Sequence, residues 1–337
     1  MERIALLAAF AIALPGSAFA QSGITLHGRL NTSLEHQDDG ARSRVVMQNN
    51  ASRWGLRGME DLGGGLKAFF ALEAGFASDT GSGSGGFGRD AYVGLQSPNL
   101  GRVQGGVMTS ALYYATSGSI GLHNHETGTS FDTFYSLPNY YNGTTLDDVT
   151  TFVTNAVQYS TPGFGGFNAT ALISAGEGSA TRPEGYEISA VWDRGPVHLG
   201  GGYGQDKAVD GSKNSGWALR GLFEIGRFTL GALYERNDYE RAFFGATGKR
   251  KHYRGSVMYL SGATELHLNV GVASEIGDSD DTGAVQYTVG SNHNLSERTK
   301  VYVFYTAIDN DDQGLYGAIA ERGRKFSSLA VGIRHNF

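Results

Sequence analysis

Residues 51–76 read ASRWGLRGMEDLGGGLKAFFALEAGF, and the two-residue period of this stretch decides the fold. Successive strand side chains point to opposite sides, so Trp54, Leu56 and Gly58 share one face and Arg53, Gly55 and Arg57 the other. Asp61-Leu62-Gly63-Gly64-Gly65 is a turn, rich in residues that reach positive φ cheaply. The return strand sets Ala68, Phe70, Leu72, Ala74 and Phe76 on one face, and Lys67, Phe69, Ala71, Glu73 and Gly75 on the other. The result is a hairpin with one apolar face and one charged face. A soluble sheet buries its apolar face in a core, whereas a transmembrane barrel gives it to lipid and turns the charged face to water.

The same alternation runs through most of the chain. It begins at Gly23 with Ile24, Leu26, Leu30 and Leu34 against Thr25, His27, Arg29, Asn31 and Ser33. After the hairpin it returns at residues 89–97, 102–109, 153–161 and 166–175, then at 186–192 and 197–203. Further hairpins follow at 217–224 with 227–235, 253–260 with 265–273, and 285–290 with 299–308, and the last strand is 326–337. That is sixteen strands, joined alternately by short turns and longer polar loops. An even count with that asymmetry describes a closed antiparallel transmembrane β-barrel, because unpaired backbone groups cannot be left in lipid. The last strand agrees, with Leu329, Val331, Ile333, His335 and Phe337 on one face. A secreted soluble sandwich is the alternative, since strand periodicity alone does not tell lipid from a protein core.

Length and composition fit the barrel. Residues 4–14 are an apolar run too short to span a bilayer, broken by Pro15-Gly16 and followed by Ala18-Phe19-Ala20, the pattern of a secretory signal peptide cleaved after Ala20. The expected organisation is thus residues 1–20 as leader and 21–337 as barrel. No later stretch approaches the roughly 20 apolar residues of a spanning helix. The chain has no cysteine, which removes disulfides, thiol nucleophiles and thiolate metal sites. Its 51 glycines against 6 prolines suit packed strands and tight turns, and a net charge of −6 gives no support to nucleic-acid binding.

Three segments carry a family likeness: SRWGLRGMEDLGGGLKAFFALEAGF (52–76), RDAYVGL (89–95) and AVGIRHNF (330–337). They resemble the general-diffusion porins of β-proteobacteria, and the strand spacing extends the likeness over the mature chain. The resemblance implies an outer-membrane homotrimer of sixteen-stranded barrels, set in lipid and lipopolysaccharide. Each barrel would have a water-filled pore for ions and small hydrophilic solutes, with no cofactor. It also implies that the third external loop, residues 110–150, folds inward as a constriction, and that the terminal Phe337 serves assembly. The chain departs from the family at two points. Gly105-Gly106 replaces the usual Gly-Arg, and Gln158 stands in Asn155-Ala156-Val157-Gln158-Tyr159 where a basic residue is usual. Both positions would face the pore, so weak selectivity is expected.

Selectivity in such a pore comes from its narrowest width and the charges lining it. Alternation assigns Arg29, Arg53, Arg57, Lys67 and Glu73 to the lumen, and pairing the hairpin about residues 61–65 brings Arg53 opposite Glu73. That pair either stiffens the wall or contributes a partly screened field. Arg89 shares parity with Val93 and Leu95, which leaves its face open, although its place in RDAYVGL favours the lumen. On the loop, Glu126, Asp132, Asp147 and Asp148 are candidates to oppose the wall arginines and set up a transverse field. Phe131, Phe134, Tyr135, Tyr140 and Tyr141 either pin the loop to the wall or offer solutes a platform. No metal site is expected, because His123-Asn124-His125-Glu126 lacks a further ligand at fixed spacing. The Gly81–Gly86 run has no following helix to make a dinucleotide site. A solute-selective channel remains an alternative, as does a β-barrel outer-membrane hydrolase. The latter needs a nucleophile and base that no motif here supplies, so the chain reads as no enzyme.

Overall fold

The computed structural model of the protein describes residues 23–83, 85–120, 128–136, 151–177, 184–319 and 321–337. The expected leader, its cleavage point after Ala20, and Glu126, Tyr140, Tyr141, Asp147 and Asp148 lie outside these residues, as does the 123–126 segment.

The first half of the sheet is β1 (Gly23–Asp38), β2 (Ser43–Asn49), β3 (Arg53–Gly63), β4 (Leu66–Gly75), β5 (Ala91–Ser97), β6 (Gly101–Thr109), β7 (Phe152–Ser160) and β8 (Phe167–Ser174). The second half is β9 (Glu184–Arg194), β10 (Val197–Lys207), β11 (Lys213–Ile225), β12 (Phe228–Phe243) and β13 (Ala246–Ser261). It finishes with β14 (Thr264–Ala273), β15 (Ala284–Asn294), β16 (Thr299–Asn310) and β17 (Phe326–Asn336). β2 and β3 are two parts of one traverse, interrupted at Asn50-Ala51-Ser52, and both pair with β1. The seventeen segments therefore make sixteen antiparallel spans. The sheet closes where β17 pairs with β1, from Arg29 opposite Asn336 to Asp38 opposite Ser327. Gly28 and Phe337 add two further backbone hydrogen bonds of 3.0 Å to that seam. Closure removes the edges that an open sheet would expose.

Burial along β1 is the reverse of a soluble strand. Ile24 and Leu26 are 67% and 58% exposed on the outside, whereas Asn31, Ser33 and Glu35 are buried on the inside. The same inversion holds on β17, where Leu329, Val331 and Ile333 are exposed and Ser328 and Ala330 buried. An apolar band facing outward around a closed ring is a lipid surface, so the soluble-sandwich alternative falls.

The opening hairpin holds its predicted faces but not its predicted register. Arg53 pairs with Gly75 and Gly55 with Glu73, a shift of two residues. Two local causes combine. Gly63, Gly64 and Gly65 all take positive φ in a tight turn centred later than expected, and the pairing slips between Asp61 and Gly63.

The buried apolar cores lie inside the ring. Residues 110–136 begin a long connection between β6 and β7, with helices α1 (Ala111–Ala115) and α2 (Ser117–Ile120) and a 3-10 turn (Gly128–Ser130). Leu112, Tyr113, Ile120 and Tyr135 pack with Met108, Val153, Leu172, Leu222 and Leu233 of the inner wall. A second cluster joins Phe134 to Tyr239, Phe243, Phe244, Ile276, Ile308, Tyr316 and Phe326. Burial of a side chain such as Leu112 or Ile120 contributes about 2 kcal/mol toward holding this segment against the wall.

Candidate pore lining and the inward segment

The segment seats where the wall has no side chains to obstruct it. On β10, a Cβ at Gly200 would overlap the Ala115 carbonyl, and one at Gly202 would lie 2.9 Å from Leu112 Cδ1. Glu187 of β9, almost wholly buried, accepts from Ser110 Oγ at 2.9 Å and from the Leu112 N–H at 3.2 Å. Ser110 also caps α1 by accepting from the Tyr113 N–H at 3.0 Å, satisfying an otherwise unpartnered helix-start donor. Farther along, Ser256 Oγ of β13 donates to the Ile120 carbonyl at 3.1 Å.

Asp132 is the anchor of the distal part. The sequence sets it among acids facing the arginines across open water. The structure instead buries its carboxylate against β13, 3.0 Å from Arg254 Nη1 and 3.6 Å from His252 Nε2. The Phe134 N–H donates to it at 3.1 Å. Burial pushes the Asp132 pKa up, but Arg254 first, then His252 and the Phe134 N–H, outweigh it and hold the carboxyl below its ordinary value. A carboxylate collapsed onto its partner sets up no field across the pore. Around it, the Thr133 N–H donates to Gln286 and the Ser136 N–H to Glu235, while Arg250 donates to the Phe134 carbonyl. The Phe134 ring stands edge-on to Tyr316 at 4.9 Å. Phe134 and Tyr135 are therefore packing residues, and Phe131 is the exposed aromatic of this stretch.

On β1, β3 and β4 and just before β5, charged side chains pair with one another or with a neighbouring amide. Arg53 sits directly across from Arg29, an arrangement that two carboxyl or amide partners make tolerable. Arg29 donates to Asn336 Oδ1 at 3.1 Å, and Arg53 lies 3.4 Å from Glu73. The expected partner of Arg53 is thus found, by a diagonal contact instead of a direct one. Glu73 also accepts from Arg89, whose guanidinium lies 4.7 Å above the Phe152 ring. Arg89 precedes β5, so strand parity does not govern it, and it points to the lumen. His27 lies 4.0 Å from the same carboxylate. Arg57 is exposed and Lys67 half-buried, and neither has an ion pair or side-chain hydrogen bond among the described residues.

Three further inward cations were legible by parity but not singled out. Arg102 of β6 stacks on Phe69 at 4.0 Å and on Tyr92 at 5.5 Å. Arg334 of β17 stands opposite Lys300 of β16, which reaches Glu265 at 3.4 Å. Gln158 and Gly106 also face inward, opposite Gln104 and Ala156. Gly106 takes φ +138° at a slip in the β6–β7 pairing, and a Cβ there would overlap the Ala91 carbonyl. The local backbone, as well as the sequence, thus excludes an arginine at that point.

Among the described residues, no three His, Asp or Glu side chains gather as metal ligands. The arrangement is a closed ring with an apolar exterior and a charged interior, partly filled by one connection. A family model described as Gram-negative porin matches residues 5–313. Outer membrane porin protein 32 of Delftia acidovorans is 31% identical over 98% of this chain and 99% of its own. An outer membrane porin protein of Bordetella pertussis is 27% identical over the whole of both chains. Among solved structures, an anion-selective porin from Comamonas acidovorans superposes with a TM-score of 0.79. It is 28% identical and covers 94% of this chain and 100% of that one. These relatives are channels rather than enzymes. The chain belongs to the Gram-negative porin family: an outer-membrane β-barrel enclosing a water-filled channel for passive diffusion of ions and small hydrophilic solutes.

Proposed function

We propose that residues 110–150 narrow this channel and that ions pass between them and the wall formed by β3–β6 and the short-turn parts of β1, β16 and β17, with a modest preference for anions. The observation that carries this reading is the charge of that wall. Arg29, Arg53, Arg57, Lys67, Arg89, Arg102, Lys300 and Arg334 outnumber the carboxylates beside them, Glu35, Asp61, Glu73, Asp90 and Glu265. An excess of one sign along a water-filled pore with low-dielectric walls raises the local concentration of the opposite ion. The preference is modest because Glu73 screens both Arg53 and Arg89, and because Gly106 and Gln158 add no charge. The anion-selective relative supports the same sign.

The remaining parts of the reading are a leader at residues 1–20 removed after Ala20, a mature barrel at 21–337, and a homotrimer in lipid and lipopolysaccharide. We infer no catalytic cycle. Reconstitution in planar bilayers tests the whole: ohmic steps in groups of three support the trimeric channel, and no conductance at all rejects it. Liposome swelling should fall steadily with solute size, without saturation for neutral sugars.

A further inference from the structure

One feature of the lumen is out of character for a pore wall, which is ordinarily polar. Phe69 points inward from β4, only 6% exposed, with Tyr92 of β5 edge-on to it at 6.2 Å. The Arg102 guanidinium lies over both rings. Its Nε is buried without a hydrogen-bond partner among the described residues. These side chains line a half-open pocket of about 410 Å³ in the inner wall, running from Glu73 and Asp90 toward the short-turn rim. Arg57, exposed and without an ion pair among the described residues, stands in the same lining, and Gln96 offers an amide. The volume lies in the range of small-molecule sites.

We propose that this pocket is a transient binding site for small aromatic carboxylates on their way through the channel. A flat ring can lie against Tyr92, which buried Phe69 and the Arg102 guanidinium hold in place from behind, and stacked or edge-on rings attract beyond simple area burial. Its carboxylate can meet exposed Arg57, a planar donor matched to two oxygens, with the charge of Arg102 behind the rings adding to the attraction. Glu73 does not cancel this attraction, because Arg53 and Arg89 already neutralise it. Asp90 is engaged by the Thr109 N–H and hydroxyl, at 2.9 and 3.1 Å. The same geometry disfavours aliphatic carboxylates, which lack the ring, and aromatic amines, which meet the wrong charge.

The inference rests on the channel reading, so open-channel conductance in potassium chloride is measured first; its absence rejects the channel, not the pocket. With conductance established, benzoate added to one side should give concentration-dependent current interruptions, while acetate and benzylamine at equal concentration give none. Tyr92→Leu should weaken the benzoate effect about fivefold, and Phe69→Leu, which withdraws the support behind that ring, serves the same test if Tyr92→Leu does not assemble. Arg102→Gln should weaken it by a similar factor. Equal responses to benzoate and acetate in the wild type overturn the proposal. So does an unchanged benzoate response in both ring variants, which would leave only general anion attraction.

Discussion

Asp132→Asn removes one charge from a pair whose other half cannot reach water. Arg254 is 3% exposed and Asp132 8%, and they meet at 3.0 Å. Deleting one partner of a buried pair costs about 3 kcal/mol, because the remaining charge stays desolvated. At about 1.4 kcal/mol per factor of ten, the ratio of seated to released segment should fall about 150-fold. The barrel itself should survive, since its spans close without Asp132. Hydrogen exchange separates these effects. Amides in residues 128–136 should exchange about 150-fold faster in the variant. Those in residues 111–120 should change little, because Glu187, Ser110 and Leu112 hold them separately. Arg254→Gln in the same chain removes the stranded charge and should restore part of the protection. Unchanged exchange in residues 128–136 would refute the reasoning, as would equal acceleration in both stretches.

The same carboxylate gives a pH prediction. Its pKa is depressed in the folded state, so its contribution is full above the ordinary value of 3.8 and is lost as pH falls through the lowered one. Exchange and current noise should therefore stay flat from neutrality to about pH 4 and rise only below about pH 3.8, with Arg250, Arg254, His252 and Glu235 as the surrounding charges. Gln158→Arg should assemble and raise anion preference. Gly106→Arg should lower the yield of heat-resistant folded protein on gels, the strained φ costing about 1–3 kcal/mol. Gly28→Val should slow assembly on the same gels, because its side chain would occupy the space of the Phe337 ring at the closing seam. Arg57→Ala should reduce anion preference more than Arg53→Ala, since Arg53 is already screened by Glu73.

The faces of the strands were legible because period two is a local property, and the alternation of short turns with long loops gave the ring its sense. What crosses the barrel was not legible. The two-residue register error in the hairpin came from the three positive-φ glycines and a slipped pair, which fix pairing without altering the face pattern. β2 was missed because Asn50-Ala51-Ser52 breaks the alternation, although β1 continues past the break and pairs on both sides. Asp132 misled because a carboxylate in a loop carries no sign of direction. Its place depends on Arg254 and His252, more than a hundred residues later, and on Gly200 and Gly202 clearing the wall for the helices. Arg102, Lys300 and Arg334 were within reach, since each alternates with outward Val103, Val301 and Ile333.

The reversal potential of the wild-type channel under a potassium chloride gradient tests the cationic wall most directly. The account predicts ohmic channels whose reversal potential shows a modest preference for chloride, reduced by Arg57→Ala. A potassium-preferring channel, or a chloride preference left unchanged by Arg57→Ala, would contradict it.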